Sequence, residues 1–194
     1  MIDIVFPKDD EESFIKMAER LGLNGLCFVY DKPKDISYLK SKTKINLSTA
    51  SSARMKGCPF FMKAPDDQMQ IRHILEQTRP DVLYGLEFNH HRDFMHHRAS
   101  GLNHVMASIA EEKGVTIGFS FAGILSAKTD NRAVCIGRMM QNIRFARKYG
   151  FKVVLASFAD SPWKMRAPQE IISFFRCINM SGSEVKLGLG WVIS

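Results

Sequence analysis

No apolar run in this sequence approaches the roughly 20 residues that a membrane-spanning helix requires. No internal repeat, low-complexity tract or Pro/Gly-rich linker divides the chain, so residues 1–194 are expected to form one domain. Its 4 cysteines, Cys27, Cys58, Cys135 and Cys177, stand far apart without a C-x-x-C spacing. That excludes a zinc site or disulfide framework of ordinary spacing and reads as small hydrophobic side chains in a reducing compartment. Met1 leads directly into an apolar strand and an acidic turn, not a secretory leader, so the expected location is cytoplasmic. The phosphate loop G-x-x-x-x-G-K-[ST], the nucleophile elbow G-x-S-x-G and the dinucleotide fingerprint G-x-G-x-x-G are all missing, which removes three large enzyme classes.

What is present is apolar content and positive charge. Hydrophobic residues make up 45% of the chain, ample for a sizeable core. Against 20 Asp and Glu stand 27 Lys and Arg, a formal net charge of +7. Such a surplus favours an anionic partner, nucleic acid first and a membrane surface second, over an ordinary basic enzyme.

Hydrophobic period gives the order of elements. Strands are expected at Ile2–Phe6, Leu23–Tyr30, from Ile45, Pro59–Met62, Asp81–Phe88, Val115–Phe121 and from Val153. Helices are expected after Asp9 or Asp10, from Pro33, after Pro65 and Asp66, over Leu102–Lys113 with Ser100 as N-cap, and over Asp130–Lys148. Repeated strand-then-helix order predicts an α/β protein with a parallel sheet, either open or closed as a barrel. Length slightly favours the open form, because an eight-fold barrel usually needs about 200 residues or more.

In the long helix, Val134, Cys135, Met139 and Ile143 lie on one broad face, while Gln141, Arg144, Arg147 and Lys148 fall largely opposite. Arg138 and Asn142 break the pattern, since they form an i, i+4 pair inside the apolar arc. A buried arginine needs partners, so this pair either ties the helix to a loop or faces another molecule. Residues 87–104 hold five of the six histidines together with Glu87 and Asp93. A metal-dependent hydrolase using Glu87, His90, Asp93 and His96 is therefore the alternative reading.

The series R-x-S-G-L-N-H-V from Arg98, N-R-A from Asn131, G-R-M-M-Q-N-I-R from Gly137 and M-R-A-P from Met165 resembles protein component 3 of archaeal and eukaryotic ribonuclease P. The resemblance implies a compact, distorted TIM-like barrel with parallel strands, related to the PHP phosphoesterases, with its closing strand abbreviated or missing after VKLGLGWVIS. Those phosphoesterases carry H-x-H on the first strand, whereas DIVF here has no histidine, and Asp3 and Asp160 alone do not replace it. The implied function is that of an RNA-binding subunit of the enzyme that removes the 5′ leader of precursor tRNA. Catalysis then belongs to the RNA with its Mg²⁺, the protein holding no catalytic residue, metal or cofactor. The implied partners are the ribonuclease P RNA, component 2 and further protein subunits, with precursor tRNA met indirectly and no membrane. Matching positions are Arg98, Ser100, Asn103, Arg132, Arg138, Asn142, Arg166 and Pro168, while Asn179 stands where relatives often carry Gly. Arg144, Lys148 and Lys164 join them as phosphate-facing charges on the barrel rim, and His104 with Asn103 offers hydrogen bonds to sugar or base edges.

Overall fold

A computed structural model describes residues 1–190 apart from Pro33, His90, His91, Phe94 and His97. The elements run β1 (Ile2–Val5), α1 (Glu11–Arg20), β2 (Gly25–Tyr30), α2 (Ser37–Lys40), β3 (Asn46–Ser51) and β4 (Phe61–Lys63). They continue with α3 (Gln68–His73), β5 (Val82–Tyr84), α4 (His104–Glu112), β6 (Thr116–Ser120) and α5 (Phe121–Ser126). The chain then forms α6 (Thr129–Tyr149), β7 (Val153–Ala156), α7 (Pro168–Cys177) and α8 (Gly182–Leu189).

Every strand pairs in parallel with the next in sequence, as a sheet of β1-β2-β3 and another of β4-β5-β6-β7. Two single bridges turn these into a ring. Ser51 donates its N–H to Pro59 O at 2.9 Å beside the Ser51–Phe60 bridge, and Phe6 donates to Ala159 O at 2.8 Å beside Val5–Ala159. The result is the expected TIM-like barrel, closed with seven strands among the described residues. The last apolar segment supplies no strand there, because Gly182–Leu189 is helical, and Trp191–Ser194 lie outside the described residues.

The seam between β7 and β1 carries an unusual fastening. Asp3 is fully buried, and its Oδ1 accepts the Ser157 N–H at 2.6 Å while its Oδ2 accepts the Ser157 hydroxyl at 2.6 Å. The carboxylate thus takes a backbone donor just past the end of β7. Burial pushes the Asp3 pKa up to about 6, against the pull of the Ser157 bonds. Ser157 is itself completely buried in this seam.

Inside the ring, alternate residues of the strands meet: Ile4, Cys27, Val29, Ala50, Phe61, Val82, Val154 and Phe158 form one buried cluster. Outside it, Phe14 and Ala18 of α1 cover Leu26 and Phe28, and Met106, Met139 and Phe175 cover Phe119. Gly118 sits where the barrel is tightest. A β-carbon there would lie 2.7 Å from the Phe158 ring and 2.9 Å from Tyr84 Cβ.

Local chemistry moves several boundaries. The fifth strand ends at Tyr84, not Phe88, because Gly85 takes a φ of 83° and starts a tight turn over Leu86–Phe88. The sixth stops at Ser120, whose hydroxyl accepts the Gly123 N–H at 3.0 Å and opens α5, a helix that the alternating pattern through Phe121 hides. Asn179 holds a φ of 79°, so asparagine serves the left-handed turn after α7 as glycine would. The short helix expected from Pro33 forms at Ser37–Lys40, and Pro33 itself lies outside the described residues.

Gly118→Ala should destabilise the barrel by about 1–3 kcal/mol through overpacking against Phe158 and Tyr84. Equilibrium denaturation with urea measures this, and an unchanged midpoint would show that the interior has room the geometry denies.

Candidate nucleic-acid interface

In a parallel barrel the loops that follow the strands gather at one end, the C-terminal rim. The loop after β5, residues 85–103, is the longest of these, and α6 holds it in place. Arg138, 3% exposed, donates from Nε to Asp93 Oδ1 at 2.8 Å and from Nη1 to Asn89 O at 2.8 Å and Glu87 O at 3.3 Å. One turn on, fully buried Asn142 donates to Ser100 O at 2.9 Å, and Gln141 exchanges hydrogen bonds with the Arg98 backbone. Arg98 lies over Gly137, where a β-carbon would stand 2.2 Å from its Nη1.

Arg138 and Asn142 are therefore the internal tie of helix to loop, and their burial corrects their placement among surface contacts. Asn103 is corrected in part: its Oδ1 accepts the Met106 N–H at 2.9 Å, so it is the N-cap of α4 in place of Ser100. Ser100 is buried and receives the Gln141 amide at 2.9 Å.

The remaining residues divide by position along α6, which runs from the C-terminal rim to the opposite end. Arg132, near its start, donates to the carbonyls of Ile124, Leu125 and Ala127 at 3.1, 3.2 and 3.1 Å and closes the end of α5. Arg144 and Lys148 lie 12 and 16 residues further on, about 18 and 24 Å at 1.5 Å per residue, so they leave the rim. Arg144 is exposed without an ion pair among the described residues, and Lys148 lies over the Tyr149 ring at 5.2 Å. Arg147 is bidentate to Glu184 at 2.7 and 2.8 Å, and that guanidinium holds the glutamate down at a pKa of about 2.

On the rim, Arg98 and His104 are exposed. Lys164 pairs with Asp160 at 2.7 Å, and Arg166 donates to Met165 O at 2.7 Å and Trp163 O at 3.0 Å. The sequence reading missed Lys8, Lys63 and Lys128, each exposed and within a few residues of the end of a strand or its following helix, and Arg92, exposed in the long connection after β5. It also missed Trp163, which is 76% exposed in the connection after β7. A search for basic residues immediately downstream of each predicted strand would have found Lys8 and Lys63.

Among the described residues the alternative metal site does not assemble. Glu87 is fully buried with neither carboxylate oxygen hydrogen-bonded, Asp93 faces Arg138 and Arg98, and His90 lies outside the described residues. Among the described residues no group of three His, Cys, Asp or Glu side chains is placed to hold a metal ion.

The model of the RNase P subunit p30 family matches residues 2–193. The chain belongs to that family. Ribonuclease P protein component 3 of Thermococcus kodakarensis is 32% identical over 181 residues, 93% of this chain and 73% of that protein. Its counterpart in Thermococcus gammatolerans is 32% identical over 193 residues, covering 97% of this chain and 84% of that protein. The match to the Methanosarcina mazei protein of the same name, also 32% identical, spans 58% of this chain and 44% of that protein. Among solved structures, a chain of an archaeal ribonuclease P with mature tRNA superposes with a TM-score of 0.78 at 20% identity, covering 97% of this chain and 87% of that one. That likeness establishes the shared barrel fold.

Two outcomes follow from the clamp and the buried acid. Arg138→Ala removes the buried charged donor of two carbonyls and of Asp93, which keeps the Ala99 N–H at 3.0 Å, and should cost about 3 kcal/mol, whereas Arg144→Ala should stay within about 0.5. Thermal melts of both variants decide, equal effects counting against the clamp. Burial pushes the Glu87 pKa up to about 8, well above the ordinary carboxylate range, because the charged form loses its water. The folded state then holds a proton that the unfolded state releases, so stability falls as pH rises from about 4.5 to 8. Glu87→Gln should flatten that part of the curve of melting temperature against pH, and an unchanged slope would contradict it.

Proposed function

We propose that this chain is a protein subunit of ribonuclease P, binding the enzyme's RNA through the C-terminal rim of its barrel. The single observation that carries this reading is the family match along residues 2–193. The rim agrees with it, since it exposes both cations and a tryptophan, a combination suited to phosphate neutralisation and base stacking. In this reading the subunit stabilises folded RNA, and cleavage of the precursor tRNA leader belongs to the RNA and its Mg²⁺. Component 2 and other protein subunits share the assembly, and the precursor tRNA is met through it. No helix among the described residues is long and apolar enough to cross a membrane. We place the assembly in the cytoplasm. The metal-hydrolase alternative finds no support in the placement of Glu87 and Asp93.

Each rim cation that neutralises a phosphate releases condensed counterions, so log affinity should fall linearly with log salt by about 0.7 per contact on single-stranded or irregular RNA. Filter binding of the RNA to the chain, alone and with component 2, measures the slope. Lys63→Ala, Lys128→Ala or Arg98→Ala should each make it shallower by under about one unit, while Lys148→Ala, at the far end of α6, should leave it fixed. A slope moved by Lys148→Ala alone would shift the interface to the opposite end of the barrel.

A further inference from the structure

At the C-terminal mouth of the barrel the ends of β1, β4, β5 and β6 and the turn after β7 surround a cavity of about 380 Å³. Phe6, Tyr84 and Phe158 line it together, with Lys63 and Lys164. The three rings lie close to parallel: Tyr84 and Phe158 are 5.0 Å apart at 21°, Phe6 and Tyr84 5.4 Å at 32°, and Phe6 and Phe158 6.3 Å at 30°. Phe6 and Tyr84 are only half-buried, so their surfaces remain available. Lys164 is tethered by Asp160 at 2.7 Å, whereas Lys63 is exposed and makes no ion pair with a described residue. Asp160 is held ionised below its ordinary range by Lys164 and, more weakly, by Lys8, so it offsets Lys164 and the positive surplus of the mouth rests on Lys63.

We propose that this mouth binds a single unpaired nucleotide, with its base on the Phe6–Tyr84 surface and its phosphate at Lys63. A free inorganic phosphate needs no aromatic surface, and an apolar ligand needs no lysine; a nucleotide uses both. The volume is at the small end of ligand pockets, which run from about 300 to 1,000 Å³, and suits one nucleotide rather than a duplex. An adjoining cavity of about 400 Å³ shares Phe88 and Ala127 as a common wall and is lined by Arg92 and Lys128. That arrangement offers the next phosphate of a strand a place to lie. The site deepens the RNA-binding reading above and rests on it where the nucleotide belongs to RNA.

Calorimetric titration of the full chain with adenosine 5′-monophosphate, adenosine and inorganic phosphate tests the site. The monophosphate should bind most tightly, with adenosine weaker and phosphate weakest. Lys63→Ala should weaken the monophosphate about fivefold and leave adenosine unchanged, and Phe6→Leu should weaken both about tenfold. Lys63 is exposed, so that variant keeps the test valid should Phe6→Leu fail to fold. Binding no better than phosphate alone, or binding indifferent to Lys63→Ala, overturns the proposal. Displacement by a short oligoadenylate assigns the site to RNA, and saturable binding without displacement assigns it to a free nucleotide; either result upholds the site. The subunit reading is judged separately by the unsubstituted chain's salt-dependent RNA binding, which survives if the mouth proves empty of function.

Discussion

A parallel barrel this small has to be closed, and here closure depends on one buried carboxylate. β7 and β1 are joined by a single backbone bridge, beside which Asp3 accepts both the backbone and the hydroxyl protons of Ser157. An open edge would leave unpaired peptide groups inside apolar surroundings, each a substantial penalty. The acid supplies an acceptor that the short strands cannot provide, and its two oxygens fix the approach of β7. Since the loops after β1 and β7 carry Lys8, Lys164 and Arg166, the rim's charge pattern depends on that seam.

The second constraint is the length of the loop after β5. Short connections in an α/β fold are positioned by their own turns, whereas a long one needs external support. α6 provides it with Arg138, Gln141 and Asn142 along one face, matching Asp93 and the carbonyls of residues 87–100. The conserved chemical logic of a buried arginine applies: a planar cation with several donors can satisfy carbonyls from different turns at once. The charge that looked available to a partner is spent inside, and the exposed charges left on the rim are those of shorter reach from the strands.

Much of the fold was legible because hydrophobic period and glycine punctuation are local signals. The strand count, the parallel order and α6 with its outlying arginine follow from them. Barrel closure was legible only through the family resemblance and not in the hydrophobic period, since Asp3 and Ser157 are 154 residues apart and nothing local links them. α5 was hidden because Phe121 extends the alternation of β6, and Ser120 acts as a cap only once its strand stops. For the site, composition indicated a cationic surface but could not separate the arginine that is buried from those that are exposed. Helical phase placed Arg138 in the apolar arc; its partners come from a segment with no period of its own. Lys63 escaped notice because it is an ordinary lysine until the ring of strands brings its neighbours to the same rim.

Gly137 and Arg98 illustrate a constraint between sites that exchange no hydrogen bond. The guanidinium of Arg98 occupies the space that a side chain at 137 would fill, so the two positions share one volume. Those atoms are the far end of a flexible, half-exposed side chain, so a methyl group at 137 would swing the guanidinium aside while the backbone of residue 98 stays in place. The smallest side chain on α6 thus decides where a rim cation stands, although it carries no charge itself.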